Sequence, residues 1–247
     1  MLAKGSQIQL KALASGFEYG KYIFSGNRRG YVWGPSEVVL FMNSIIKGNH
    51  LGTIEVWRPA DADLPRLMLM KPRHLGALGM AKGTIRPQMM IMDGYNRLAT
   101  LAWALSHKPA KIEYSPQELA VWRSGMTLVF DESGEFRWCE ESTVQDELCL
   151  PATLMNPGDG TKLPNRAMTY IRIRQKDDWE NIEPARIDTF RKACHEAAHR
   201  LYEAKASMNT YFNGEEVEVL TTMHLNQTAG VKDNYLDAMS LAAIRLA

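Results

Sequence analysis

Two short stretches of this chain combine residue types and spacings that can do chemistry. The first is Ile91-Met92-Asp93-Gly94-Tyr95-Asn96-Arg97-Leu98-Ala99-Thr100-Leu101. An apolar run, Met89 to Met92, stops at Asp93-Gly94, and Leu98, Leu101, Ala102 and Leu105 then recur at helical spacing. The pattern is a strand, a tight turn and a helix start. Asp93 can accept a bond from a first-turn N–H as a cap. Gly94 lets a ligand approach the backbone, and the first-turn N–H groups suit an anion. Arg97 lies one turn beyond Asp93, so its guanidinium can fork onto a phosphate while the carboxylate orients a metal, a water or a hydroxyl. The same residues also describe a plain cap with an i,i+4 ion pair, worth about 0.3–0.5 kcal/mol.

The second stretch is His195-Glu196-Ala197-Ala198-His199. On a helix, two histidines one turn apart can bind Zn²⁺ while the glutamate acts as general base. Glu215, Glu216 or Glu218 would be the third ligand. Stepping about 100° per residue puts Ile187, Phe190, Cys194, Ala197 and Leu201 on the buried face. Both histidines then fall roughly 120–160° away, on a solvated face with Asp188, Arg191 and Lys192. Arg200 follows directly where zincins prefer an uncharged residue. An exposed structural helix is the better reading, so no metal ligand is assigned, and a zinc-dependent hydrolase stands only as an alternative.

The elements that must position these residues alternate without clean βαβ order. A helix is expected from Pro35 to Lys47, with Pro35 in its first turn, Glu37 at its positive end and Gly48 at its stop. Val38, Met42 and Ile45 share its apolar face, widened by Val39 and Ile46. A short strand runs from Gly52 to Trp57, and a second is expected at Leu67 to Met70. Further strands are expected at Thr127 to Phe130 and Glu135 to Cys139, turning at Ser133-Gly134. The strongest loop signal is Asn156 to Gly160. Long helices are expected at Pro184 to Ala206 and Asn234 to Leu246, with a strand or helix start at Val217 to Leu220.

Composition bounds the class. The 247 residues are 45% hydrophobic and 23% charged, which is globular composition and excludes disorder or collagen-like structure for the whole. No apolar stretch approaches the roughly 18 residues of a membrane span, and the N-terminus lacks a signal-peptide core. With 29 basic against 28 acidic residues, net +1, the chain carries no polybasic coat for nucleic acid. Cys139, Cys149 and Cys194 are odd in number and lack Cys-x-x-Cys spacing, so a reduced, cytoplasmic protein is expected. The chain has no Walker-type loop and no G-x-S-x-G elbow, which argues against P-loop NTPases and α/β-hydrolases.

A second motif sits at a telling distance from the first. Arg28-Arg29-Gly30-Tyr31-Val32-Trp33 precedes the Pro35 helix, which ends at Ser44-Ile45-Ile46-Lys47-Gly48. Together with Asp93-Gly94-Tyr95-Asn96-Arg97-Leu98-Ala99-Thr100-Leu101, it resembles the ParB-like superfamily, and more narrowly the N-terminal domains of GmrSD-type restriction and phage-defence proteins. There the entry reads Gln-Arg-x-Tyr-x-Trp and the signature Asp-Gly-Gln-Gln-Arg-Leu-x-Thr-Leu. Arg28 replaces the first glutamine of the entry, and Tyr95 and Asn96 replace both glutamines of the signature. Leu225-Asn226-Gln227-Thr228-Ala229-Gly230 is similar to the family's late Ile-Asn-x-x-Gly turn.

The resemblance implies an α+β, ParB-like mixed fold of short strands and several helices, with a mainly helical C-terminal part. It implies a nucleotide- or phosphate-binding domain over residues 1–155 and a helical extension over 156–247 packed on the same domain. The activity implied is binding, and hydrolysis, of a nucleoside triphosphate with Mg²⁺, or attack on DNA backbone phosphate, in bacterial or phage conflict. Asp93, Arg97 and Arg29 would be catalytic, and Arg28, Tyr31, Gly94, Tyr95 and Asn96 would hold the nucleotide. Asn96 keeps an amide that donates and accepts, whereas Tyr95 exchanges an amide for an aromatic face. Larger relatives carry an HNH-type nuclease domain, which is not found in this sequence. A non-catalytic interaction or regulatory module, with a protein partner in a defence system, is therefore the alternative of the same fold.

Overall fold

A computed structural model of the chain describes residues 2–10, 12–13, 22–24, 33–58, 73–74, 89–104, 126–140, 148–155, 163–174 and 179–212. The strand expected at Leu67 to Met70, the loop at Asn156 to Gly160, the late turn at Leu225 to Gly230, and the elements expected at Val217 to Leu220 and Asn234 to Leu246 lie outside these residues.

The fold is α+β, with mixed sheets and helices. Six strands form the larger sheet: β1 (Leu2–Gln9), β2 (Tyr22–Phe24), β3 (Thr53–Arg58), β4 (Arg73–His74), β5 (Met89–Asp93) and β9 (Lys205–Phe212). Their order is β1-β9-β3-β5-β2-β4. β9 is antiparallel to β1 and parallel to β3, while β3 is antiparallel to β5. A smaller sheet, β7-β6-β8, comprises β6 (Met126–Asp131), β7 (Phe136–Glu140) and β8 (Cys149–Pro151). The helices are α1 (Pro35–Ile46), α2 (Tyr95–Ala104), α3 (Leu163–Arg174) and α4 (Pro184–Glu203).

One apolar core joins both sheets, since Ile54, Val56 and Ile91 belong to the same cluster as Leu128, Phe130 and Phe136. Phe130 meets Phe136 edge-on at 5.4 Å and Phe190 of α4 at 6.3 Å. Such aromatic pairs add about 0.5–1.5 kcal/mol each to the burial itself. Asn43 of α1 bridges to the smaller sheet: its Nδ2 donates to Phe136 O at 3.0 Å, and Phe136 N donates to Oδ1 at 2.6 Å. A helix side chain here does what a neighbouring strand would do for β7.

Helix α1 carries the expected face, with Val38, Met42 and Ile45 buried. The Gly34 N–H donates to Glu37 Oε2 at 3.0 Å, one half of a capping box. The β6–β7 hairpin turns as read, around Ser133 and Gly134. Asp131 accepts from Ser133 N at 2.9 Å and from Arg137 Nε at 2.7 Å. Trp33, an aromatic of the entry motif, packs edge-on against Phe41 at 5.1 Å.

The helix expected to run to Ala206 ends at Glu203, and Lys205 already opens β9. Ala204, Lys205 and Ala206 are helix formers, but hydrogen-bonding partners on both sides outweigh so weak a preference. Among the described residues, the segment after residue 155 contributes α3 and α4 and also a strand, β9, inside the larger sheet. All three cysteines are free and buried. Burial pushes the Cys194 thiol up to about 12, so it stays protonated at neutral pH. Among the described residues, no helix is long and apolar enough to cross a membrane.

Candidate functional site

Asp93 is the last residue of β5, and α2 begins at Tyr95. Gly94 makes the reversal between them at φ 98°, in the region that L side chains rarely enter. A Cβ there would also stand 3.2 Å from Ile54 Cγ1, so glycine lets β3 pass close by. The Gly94 carbonyl accepts from Leu98 N at 3.0 Å. Gly94 is thus the helix cap, one position later than the Asp93 cap expected from sequence.

Asp93 is turned to Arg97, whose Nη2 lies 3.3 Å from Asp93 Oδ2. The guanidinium does more than pair with this carboxylate. Nη1 donates to the Leu51 carbonyl at 3.0 Å and Nη2 to the Thr53 carbonyl at 2.7 Å. Between those carbonyls lies Gly52, at φ 80°, where a Cβ would collide with Nη1. Arg97 therefore ties the start of β3 to the first turn of α2. Its side chain is 20% exposed and that of Asp93 49%, so the carboxylate is the more open half of the pair.

The turn around Gly52 has a second brace. Gly52 N donates to His50 Nδ1 at 3.0 Å, and His50 Nε2 lies 3.0 Å from Ser207 Oγ. Ser207 N donates to the Gly52 carbonyl at 3.2 Å.

Glu55 pairs with Asp93 in the β3–β5 register beside a bulge, where two residues of β5 stand against one of β3 between Glu55 and Val56, and Asn209 pairs with Glu55 in the β3–β9 register. Directly opposite positions of a regular antiparallel pair have Cβ atoms about 4.5–5.5 Å apart, and the bulge beside Glu55 alters that alternation locally. Gly5, Asn209, Glu55 and Asp93 thus form a row across four strands. Like charges at facing positions repel. Here Arg97 offsets one carboxylate, and the Tyr211 hydroxyl donates to Glu55 Oε1 at 3.3 Å. Glu55 was not among the sequence candidates. Its alternation with Thr53 and Trp57 in GTIEVW was a signal of a shared face, but which strand lies alongside is a tertiary fact.

Of the residues expected at the site, the structure brings together Asp93, Gly94 and Arg97, with Asn96 partly buried in the first turn of α2 and Tyr95 opening that helix. Arg28, Arg29 and Tyr31 lie outside the described residues. The His195–His199 pair is elsewhere, on the exposed side of α4, whose buried face is Phe190, Cys194, Ala197, Ala198 and Leu201. His199 Nδ1 lies 3.3 Å from Glu203 Oε2, with both side chains more than half exposed. Among the described residues, no group of three or more His, Cys, Asp or Glu side chains gathers as an all-protein metal site such as a zincin's would need. Glu215, Glu216 and Glu218 lie outside those residues.

No family model matches this chain, and no curated protein matches it.

Proposed function

We propose that this chain is a cytoplasmic, ParB-like domain of GmrSD type. It binds a nucleoside triphosphate by its phosphates at the β5–α2 junction and hydrolyses it, or acts on DNA backbone phosphate, within a bacterial or phage defence system. One observation carries the reading: Asp93 and Arg97 are paired across a positive-φ glycine at the start of a ten-residue helix. Helix starts favour anions through their N–H groups and dipole. Phosphoryl transfer needs charge stabilisation and positioning rather than a covalent nucleophile.

Mg²⁺ takes one or two carboxylates and completes its shell with water and phosphate oxygens; the half-exposed Asp93 carboxylate is the group that would hold it in this proposal, with Glu55 on the neighbouring strand. When bound, the ion would neutralise charge on the phosphates. The chain's own contribution is to aim the Asp93 carboxylate through Arg97 and to turn from β5 into α2 at Gly94, so that the carboxylate lies at the helix start. Arg29, Arg28 and Tyr31 enter the proposal on the resemblance alone.

A second reading has an observation of its own. Arg97 donates to two backbone carbonyls as well as to Asp93, which suits a structural clamp in a non-catalytic interaction module. Calorimetric titration of ATP and GTP with Mg²⁺ into wild type, Asp93→Ala and Arg97→Ala separates the two. The proposal expects binding that both substitutions weaken at least tenfold in folded protein. Binding unchanged in folded Arg97→Ala removes this site assignment.

A further inference from the structure

His195, His199 and Glu203 follow one another at i,i+4 spacing along α4, so they form one row on the exposed side of the helix. The exposure that argues against a closed catalytic centre leaves these rings open to an ion from solvent. His199 Nδ1 lies 3.3 Å from Glu203 Oε2. An ionised carboxylate can only accept, so it draws the proton of the neutral ring to Nδ1 and leaves the lone pair on Nε2. Metal-binding histidines are commonly oriented in this way, by a carboxylate on the nitrogen that does not meet the metal. His195, one turn earlier, makes no hydrogen bond or ion pair with any described residue, so no described group competes for its ring nitrogens. Two of the neighbouring cations are directed elsewhere: Arg191 pairs with Asp188 at 2.9 Å, and the Arg200 guanidinium lies against Gly48. Lys192 shares this side of the helix and has Glu196 one turn on.

We propose that His195 and His199 form a two-point chelate for Zn²⁺, with Glu203 as the residue that positions the His199 ring. Imidazole nitrogen suits this ion. Zn–N bonds of about 2.0–2.1 Å put two ligand nitrogens about 3.3 Å apart in a tetrahedral shell. Rings whose Cβ atoms are about 5–6 Å apart on one helix face can reach that separation. Water completes the shell. Glu196, which a zincin would use as its base, takes no part, and the chelate needs none of the residues of the β5–α2 junction. The site lies in the last turns of α4, toward the helix end whose carbonyl dipoles favour a cation. Both rings hold one ion only while the turn between them is helical. Occupancy therefore stabilises the end of α4, where the Ala204 N–H donates to the Arg200 carbonyl at 2.9 Å and Lys205 opens β9.

The test is calorimetric titration of Zn²⁺ into the untagged chain, in a non-chelating buffer at about pH 7.5, where an ordinary imidazole is neutral. His195→Ala, His199→Ala and Glu203→Ala should each weaken binding about tenfold or more, and Glu196→Ala by less than about twofold. Glu203→Gln, which keeps an acceptor for the Nδ1–H, should recover most of what Glu203→Ala loses. All these positions are exposed, so the variants stay folded. Zn²⁺ should raise the thermal unfolding midpoint of wild type and leave that of His199→Ala in place. Ring ¹⁵N signals should place Zn²⁺ on His199 Nε2 with the proton kept on Nδ1. No heat of binding at millimolar Zn²⁺, or binding that survives replacement of both histidines by alanine, overturns the chelate. Binding that Glu196→Ala abolishes and Glu203→Ala leaves intact overturns the role of Glu203 and with it the proposed site.

Discussion

Arg97 carries its guanidinium over Gly52, the residue of the α1–β3 turn that has no Cβ to obstruct it. The two residues are far apart in sequence, yet Arg97 donates to the carbonyls on either side of Gly52. Gly52 takes a positive φ between the Leu51 and Thr53 carbonyls, and Arg97 donates to both. The candidate site stands on this clamp, because the same guanidinium fixes Asp93.

Gly52→Ala should destabilise the protein by about 1–3 kcal/mol, the usual cost of holding a side chain in such a backbone region. In an Arg97→Ala background the collision disappears and the cost should fall by about 1 kcal/mol, the coupling expected of residues in contact. Urea unfolding of the two single variants and the double variant measures both quantities. Equal costs in the two backgrounds would separate the turn from the clamp.

Glu55 offers a prediction in which stability and function move in opposite directions. Glu55→Gln removes a negative charge facing Asp93 yet keeps an oxygen for the Tyr211 hydroxyl. Stability should rise by about 0.2–1 kcal/mol, the scale of cross-strand pairs, while Mg²⁺-dependent nucleotide binding should weaken. Denaturant unfolding and calorimetry on the same preparation check the two halves. A loss of stability would show that the carboxylates do not oppose each other.

How much of this could be read from sequence divides along physical lines. Helix α1, strands β3 and β5, the start of α2, the β6–β7 hairpin and the buried face of α4 were legible because each carries its own periodicity or its own turn residues. Strand β1 was not, since Ala-Lys-Gly-Ser-Gln-Ile-Gln is mostly polar and becomes a strand by pairing with β9 along its full length. Neither was α3, whose start at Leu163-Pro164-Asn165 reads as loop. At the site, the Asp93–Arg97 pair followed from i,i+4 spacing. The carbonyls that Arg97 reaches and the facing position of Glu55 depend on which strands become neighbours, which local spacing does not encode.

Asn43, a buried polar residue, should be among the more costly positions to change in α1. Asn43→Ala leaves the Phe136 N–H and carbonyl without their partner, and buried backbone groups left unpaired cost about 1–3 kcal/mol each. A loss of about 2–4 kcal/mol in urea unfolding is expected. A loss below about 0.5 kcal/mol would mean that the bridge between α1 and β7 contributes little.

Asp131 sets an acid-side dependence. Burial alone would raise its pKa, but hydrogen bonds from Ser133 and Arg137 and the Arg137 charge outweigh burial and hold the carboxyl below its ordinary value. The unfolded chain therefore takes up the proton first. The stabilisation is fully present above the ordinary carboxyl range and is lost as pH falls below it, through the lower value of the folded state. Asp131→Asn should flatten this part of the stability profile below the ordinary carboxyl range and leave its slope above that range unchanged. Thermal unfolding across that range measures it, and an unchanged acid slope would contradict the assignment.

The most direct test of the central claim is phosphate release from ATP, GTP, CTP and UTP with Mg²⁺, wild type beside Asp93→Ala. Release that Asp93→Ala abolishes, in a protein that stays folded, is the result expected of an active site at the β5–α2 junction. No release from any of the four nucleotides, or release that Asp93→Ala leaves intact, would contradict it.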